Sequence, residues 1–146
     1  MVSCKDVAKY FLTLNDVEVG ELISNLKLQK LVYYAQGYYL AIEDKPLFDD
    51  VIEAWAHGPV IPTLYADYRR FSSGSIPPPT DFDIKSINKN TRELLDEVYS
   101  VLGQFSAWKL RNMTHEEPTW KDAWSTSNKI ITQESMKKYF KTLINA

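Results

Sequence analysis

The sequence predicts a mainly α fold: one compact multi-helix domain over residues 1–146, with a small β-hairpin packed on the helices. Three observations predict it. Apolar residues recur at three- and four-residue spacing along most of the chain, the period of a helix buried on one face. Serine, threonine or proline stands ahead of several of these runs, where helices start. One stretch, Pro46 to Ala56, breaks the helical period and alternates as a strand does.

The first helix is capped by Ser3, with Asp6 three residues on, and Cys4, Val7, Ala8, Phe11 and Leu12 form its buried stripe. The second runs from about Ser24 to Ile42. Next, "PLF", an acidic turn at Asp49-Asp50 and "VIEAWA" read as the two arms of a hairpin. Ile52, Ala54 and Ala56 face one side of it, and Val51, Glu53, Trp55 and His57 the other. The chain then turns a corner: Gly58 tolerates unusual backbone angles and Pro59 removes a donor. Pro62 opens a helix carrying Leu64, Tyr65, Tyr68 and Phe71.

"SSGSIPPPTDFD", Ser72 to Asp83, is a loop within the same domain. A further helix after Thr91 carries Leu94, Leu95, Val98, Val101, Leu102 and Phe105. Ser106 caps a short helix through Met113, and Pro118 starts another that holds Trp120 and Trp124. Thr132 caps the last, with Glu134 in its first turn and Met136, Tyr139, Phe140, Leu143 and Ile144 as its buried face.

Bulk properties narrow the function. A formal net charge of −2 argues against a broad nucleic-acid surface, which needs a basic excess. Cys4 is the one cysteine, so no internal disulfide forms and a reducing cytoplasm fits. "MVSCKDVAKY" has no uncharged apolar run, so no signal peptide is expected, and no segment approaches the ~20 apolar residues of a membrane span.

Catalytic machinery is hard to find. Cys4, His57 and His115 are too few for a closed structural zinc site. "HEEPTW" lacks the second histidine of a helical zinc pair, and neither phosphate-binding glycine loop nor nucleophile elbow is present. Cys4, near a helix N-terminus where a thiol pKa can fall, reads instead as a partially buried, inert thiol. The adjacent carboxylates Asp49-Asp50 and Glu116-Glu117 read as turn or cap chemistry, each pair pointing two ways. His57 and His115 could meet as an acid–base pair near Glu53 or Glu116. The alternative has each imidazole bonded to a backbone carbonyl at a corner. No cofactor or metal is expected.

The second helix is the most informative element. In "LKLQKLVYYAQGYYLAI", Leu28, Leu31, Val32, Ala35, Tyr39 and Ile42 gather on one stripe, yet Leu26, Tyr33, Gly37 and Leu40 gather nearly opposite. A helix apolar on both sides is either central to its own fold or half-covered by a partner. Mid-helix Gly37 costs ~1 kcal/mol relative to alanine, which close packing of another backbone would repay.

These segments carry a resemblance. "LKLQKLVYYAQGYYLA" (Leu26 to Ala41) followed by "PLFDDVIEAWAHGPVIPTLY" (Pro46 to Tyr65) is similar to the Panacea, or SocA-like, antitoxin domain. The matching features are the Leu26 to Gly37 helix, Leu47-Phe48, an acidic turn, Ala54-Trp55 and Gly58 to Pro62, with Thr114-His115 and Trp120 further on. The resemblance covers nearly the whole chain. It implies a mainly α domain with a small β element that neutralises a toxin by direct protein contact. It implies no settled enzymatic activity. One domain fills the chain, so the separate DNA-binding region of many antitoxins is not expected.

The expected function is therefore a cytoplasmic antitoxin-type binding module whose partner is a cognate protein toxin, encoded by a bacterium, phage or mobile element. Its partner-binding residues are expected to be Trp55, Tyr65, Tyr68 and Arg69, with His57 and His115 shaping the pocket edge. Gly37, Gly58, Pro59 and Pro62 are assigned to structure. The oligomeric state stays open, a homodimer included. The competing readings are an adaptor handing a bound protein to a protease, an inhibitor of a host defence protein, and a small hydrolase using His57 and His115.

Overall fold

The computed structural model describes residues 1–15 and 22–145. Its α-helices are α1 (Cys4–Leu14), α2 (Asn25–Glu43), α3 (Pro62–Tyr68), α4 (Lys89–Leu102), α5 (Ala107–His115), α6 (Pro118–Trp124) and α7 (Gln133–Ile144). Between them run β1 (Ile52–Trp55), β2 (Gly58–Val60) and β3 (Ile130–Ile131), which form one antiparallel sheet in the order β2-β1-β3. The mainly α class with a small hairpin is thus the observed one. No described helix is long and apolar enough to cross a membrane.

The predicted caps are where the helices begin. Ser3 Oγ accepts from the Asp6 amide at 3.1 Å, Ser106 Oγ from that of Lys109 at 3.0 Å and Thr132 Oγ1 from that of Ser135 at 3.1 Å. Each satisfies a donor that the first helical turn leaves orphaned. Pro62 and Pro118 occupy first-turn positions of α3 and α6. The helix expected after Thr91 starts earlier, capped by Asn88, whose Oδ1 accepts from Thr91 N at 2.9 Å. Three expected core positions also face outward: Val101 is 49% exposed, Leu143 40% and Ile144 42%.

α2 is the axis of the molecule. It touches α1, α3, α4, α5, α7 and β2, so both of its apolar sides are covered by this chain. The central-helix alternative holds for the described residues. Its predicted core stripe drifts at the end, where Tyr39 is half-buried and Ile42 half-exposed. Gly37 is there for close packing, though the neighbour is a ring and not a backbone: an added Cβ would overlap the Phe140 side chain of α7. That ring is itself held edge-on by Tyr33, Tyr34, Tyr38 and Tyr139, with centroids 4.9–5.9 Å apart.

Asn25, Lys27, Gln29, Lys30 and Gln36 of α2 are buried along with its apolar residues, and each bonds a backbone group elsewhere. Lys27 Nζ donates to Gly103 O at 2.6 Å, and Lys30 Nζ to Pro59 O at 3.0 Å. Gln29 Oε1 accepts from Ile61 N at 2.9 Å. Gln36 grips the segment before the sheet, accepting from Leu47 N at 2.8 Å and donating to Phe48 O at 2.7 Å. The pattern Lys-x-Gln-Lys…Gln therefore fastens three separate segments to one rod.

That grip corrects the predicted hairpin. Pro46–Phe48 is not a strand, because Gln36 takes the backbone groups a strand partner would need. The arms are instead β1 and β2, turning at Ala56-His57, with Glu53 opposite Val60 and Trp55 opposite Gly58. The Gly58-Pro59 corner is thus the second arm. Pro59 is tolerated there because β2 is an edge strand. β3, too short to register as an alternation, covers the other edge of β1 by pairing Ile131 with Ile52.

Candidate functional site

A pocket of about 340 Å³ opens where α2, the β1–β2 hairpin and the end of α3 meet. Trp55, His57, Tyr65 and Arg69 line it together with Leu26 and Lys30, so four of the six residues expected at a partner surface converge. Trp55 and Tyr65 form an edge-to-face pair with centroids 5.0 Å apart. Trp55 is oriented from both ends: its Nε1 donates to Glu53 Oε1 at 2.9 Å, and its carbonyl accepts from Trp120 Nε1 at 2.9 Å. Tyr65 is fixed through its backbone, since Asn25 Nδ2 donates to its carbonyl at 3.2 Å and Gln29 Nε2 in turn donates to Asn25 Oδ1 at 2.9 Å. The aromatic wall thus rests on a buried amide relay from α2.

His57 sits exposed at the hairpin turn, its Nδ1 accepting from Arg111 Nε at 3.4 Å. With Nδ1 the acceptor, a neutral His57 carries its proton on Nε2. The Arg111 guanidinium also lies 4.4 Å over the exposed Trp108 ring. His115 does not line this pocket. It stacks on Trp120 at 4.0 Å, and Trp120 continues onto Trp124 at 5.3 Å. Burial, then the nearby Arg111 charge, hold His115 below the usual imidazole range, against a backbone carbonyl at Ala56 that favours its proton. Tyr68 turns the other way, to Phe71 and a groove shared with Lys9, Leu12 and the Pro77–Pro79 run.

Cys4 is fully buried, its thiol pushed up to about 12 chiefly by burial and then by Asp50. No three of His, Cys, Asp and Glu gather as a metal-holding group among the described residues. A larger hollow of about 520 Å³, between the end of α2 and the start of α4, has Lys45, Asn88, Lys89 and Asn90 in its wall and holds none of the residues expected to bind a partner.

Two groups escaped the sequence reading. Glu117, taken with Glu116 for turn or cap chemistry, is buried while Glu116 is exposed. Its carboxylate accepts from Tyr33 Oη at 2.7 Å and from Tyr34 Oη at 2.6 Å. Burial raises its pKa, and the two tyrosine hydrogen bonds oppose that rise. Lys30 is the other, completely buried and in the pocket wall. The signal available for both was a central helix with polar residues on every side, since such residues need partners inside the fold.

Burial, and then the Arg111 charge, hold the Lys30 amine near 7, far below the ordinary 10.5. A base whose folded value is depressed contributes stability that is complete above the unfolded value and lost as pH falls through the folded one. The urea midpoint is therefore expected to climb from pH 7 to pH 9, and to climb less steeply in Lys30→Met. The tyrosines, whose raised values oppose this, act only above about pH 10. A midpoint equally pH-dependent in both proteins would show that Lys30 keeps its proton in the fold.

Residues 28–121 match the family described as "Antitoxin SocA-like, Panacea domain". A curated relative, Antitoxin SocA of Caulobacter vibrioides (strain NA1000 / CB15N), is 33% identical over 113 residues, 64% of this chain and 55% of that protein. The chain thus spans little more than half the length of that relative. No solved structure matches it.

Proposed function

The chain belongs to the SocA-like antitoxin family that shares the Panacea domain, and on that premise we propose that it neutralises a cognate protein toxin by direct contact in the cytoplasm. The docking face is the hairpin pocket. The observation that carries this is the convergence of an aromatic pair, Trp55 and Tyr65, with the exposed Arg69 on a relay-braced wall. Aromatic anchors beside an arginine, held rigid before binding, are the composition of interface hot spots. Tyr68 acts as support for α3, and His115 as a stacking plate beneath the hairpin turn. In this reading the protein works as a binding module and not as an enzyme, with His57 bonded to Arg111 and His115 stacked on Trp120.

The test is co-expression with the product of the gene next door, with growth as the readout. The wild-type chain should rescue, and Tyr65→Ala combined with Arg69→Ala should lose rescue while keeping its circular dichroism and melting profile. Rescue by that folded double variant at the wild-type level would remove the pocket from the contact. Toxin abundance in the same cells separates occlusion, which leaves it unchanged, from delivery to a protease, which lowers it.

A further inference from the structure

Resting on that docking reading, we infer that the hairpin pocket receives an aspartate or glutamate side chain of the toxin, flanked by an apolar residue that packs on Trp55, Tyr65 and Leu26. Charge complementarity carries the assignment. The pocket is lined by Arg69, His57 and Lys30 and by no carboxylate, although acids outnumber bases in the chain, 19 to 17. Glu53, the acid nearest in sequence to Trp55, is held by Trp55 Nε1 and lies outside the lining.

The cations are also under-used. Arg69 is exposed and has no carboxylate partner among the described residues. Lys30 Nζ has Pro59 O as its one acceptor among the described residues, which leaves it an N–H to spare whether charged or neutral. Arg111 on α5 adds to the positive field at Lys30 and donates to His57, and no acid of α5 or the hairpin answers it within the lining. An isolated buried amine is a costly group for a fold to keep. An incoming carboxylate meets Arg69 and His57 at the mouth and favours the charged form of Lys30 behind them. Low-dielectric walls strengthen that attraction.

The experiment is a coupling scan on the purified complex with the neighbouring gene's product. Each toxin Asp is changed to Asn and each Glu to Gln, and affinity is measured against the wild-type chain and Arg69→Gln. One carboxylate should matter to the wild type by about tenfold or more and to Arg69→Gln far less, since close interfacial charge pairs couple on this scale. Lys30→Met, where it folds, should show the same loss of coupling; Arg69, being exposed, keeps the test independent of folding. A complex that forms with no carboxylate coupled to Arg69 overturns the inference and leaves toxin docking standing. No complex at all overturns both. A single-stranded oligonucleotide that displaces the toxin from the wild type and not from Arg69→Gln gives the pocket to phosphate, and also overturns it.

Discussion

Glu117→Ala should lower stability by about 3 kcal/mol, and Glu117→Gln by less than about 1 kcal/mol. The carboxylate accepts from two tyrosine hydroxyls in a site that excludes water. Alanine removes both acceptors and leaves a small cavity. Tyr33 has a second recourse, since its hydroxyl lies 2.5 Å from Thr119 Oγ1 and can donate there. Tyr34 has only Glu117 among the described side-chain partners, so its buried hydroxyl is left unsatisfied. Glutamine behaves differently. Its carbonyl serves Tyr34, and its amide donates to Tyr33, which turns its own proton toward Thr119. Urea denaturation of both variants decides the matter. Equal losses would mean that the negative charge, and not the acceptor count, is what α2 requires at this site.

Gly58→Ala should cost about 3 kcal/mol, a fall in melting temperature of about 10 °C for a chain of this length. Two independent penalties meet at this position. The backbone has φ of +108°, which lies outside the regions open to residues with a Cβ. A methyl group would also stand 2.6 Å from Lys30 Cε and 2.8 Å from Thr114 Oγ1. Neither neighbour can step aside. Lys30 is fully buried and tied to Pro59 O, and Thr114 is fully buried and donates to Arg111 O at 2.7 Å. Relief must come from the hairpin itself, which carries Trp55 and His57 into the pocket. Gly58→Ala should therefore weaken toxin rescue as well as stability. A melting temperature within about 2 °C of the wild type would mean that the β1–β2 turn relaxes freely.

Both predictions rest on residues of one sequence pattern, and the pattern was legible before its meaning was. "LKLQKLVYYAQG" and the histidine-glycine-proline corner identify the family, and they read naturally as docking features. In the structure they are mostly scaffold. Gln29 holds Ile61, Lys30 holds Pro59, Gln36 holds Leu47 and Phe48, and Tyr33 with Tyr34 holds Glu117. What the scaffold positions is the hairpin and its pocket, where Trp55, His57, Tyr65 and Arg69 meet. The proposed site was thus readable as a set of residue types, though Tyr68 and His115 were grouped with it and lie elsewhere.

Local chemistry determined the helices of this protein from sequence alone. A capping hydroxyl, a first-turn proline and a three-to-four apolar spacing act within a few residues, and they place α1, α2, α3, α5, α6 and α7 wherever the chain goes. Long-range competition decided the rest. Pro46–Phe48 had strand-like residues, but Gln36 satisfied its backbone first, so β1 paired with β2 and with a two-residue β3 some 78 positions along the chain. The same holds for burial. No local rule tells that Lys30 and Glu117 lie inside while Val101 and Leu143 lie at the surface. Burial belongs to whichever element packs against a residue, and that partner is chosen by the whole fold.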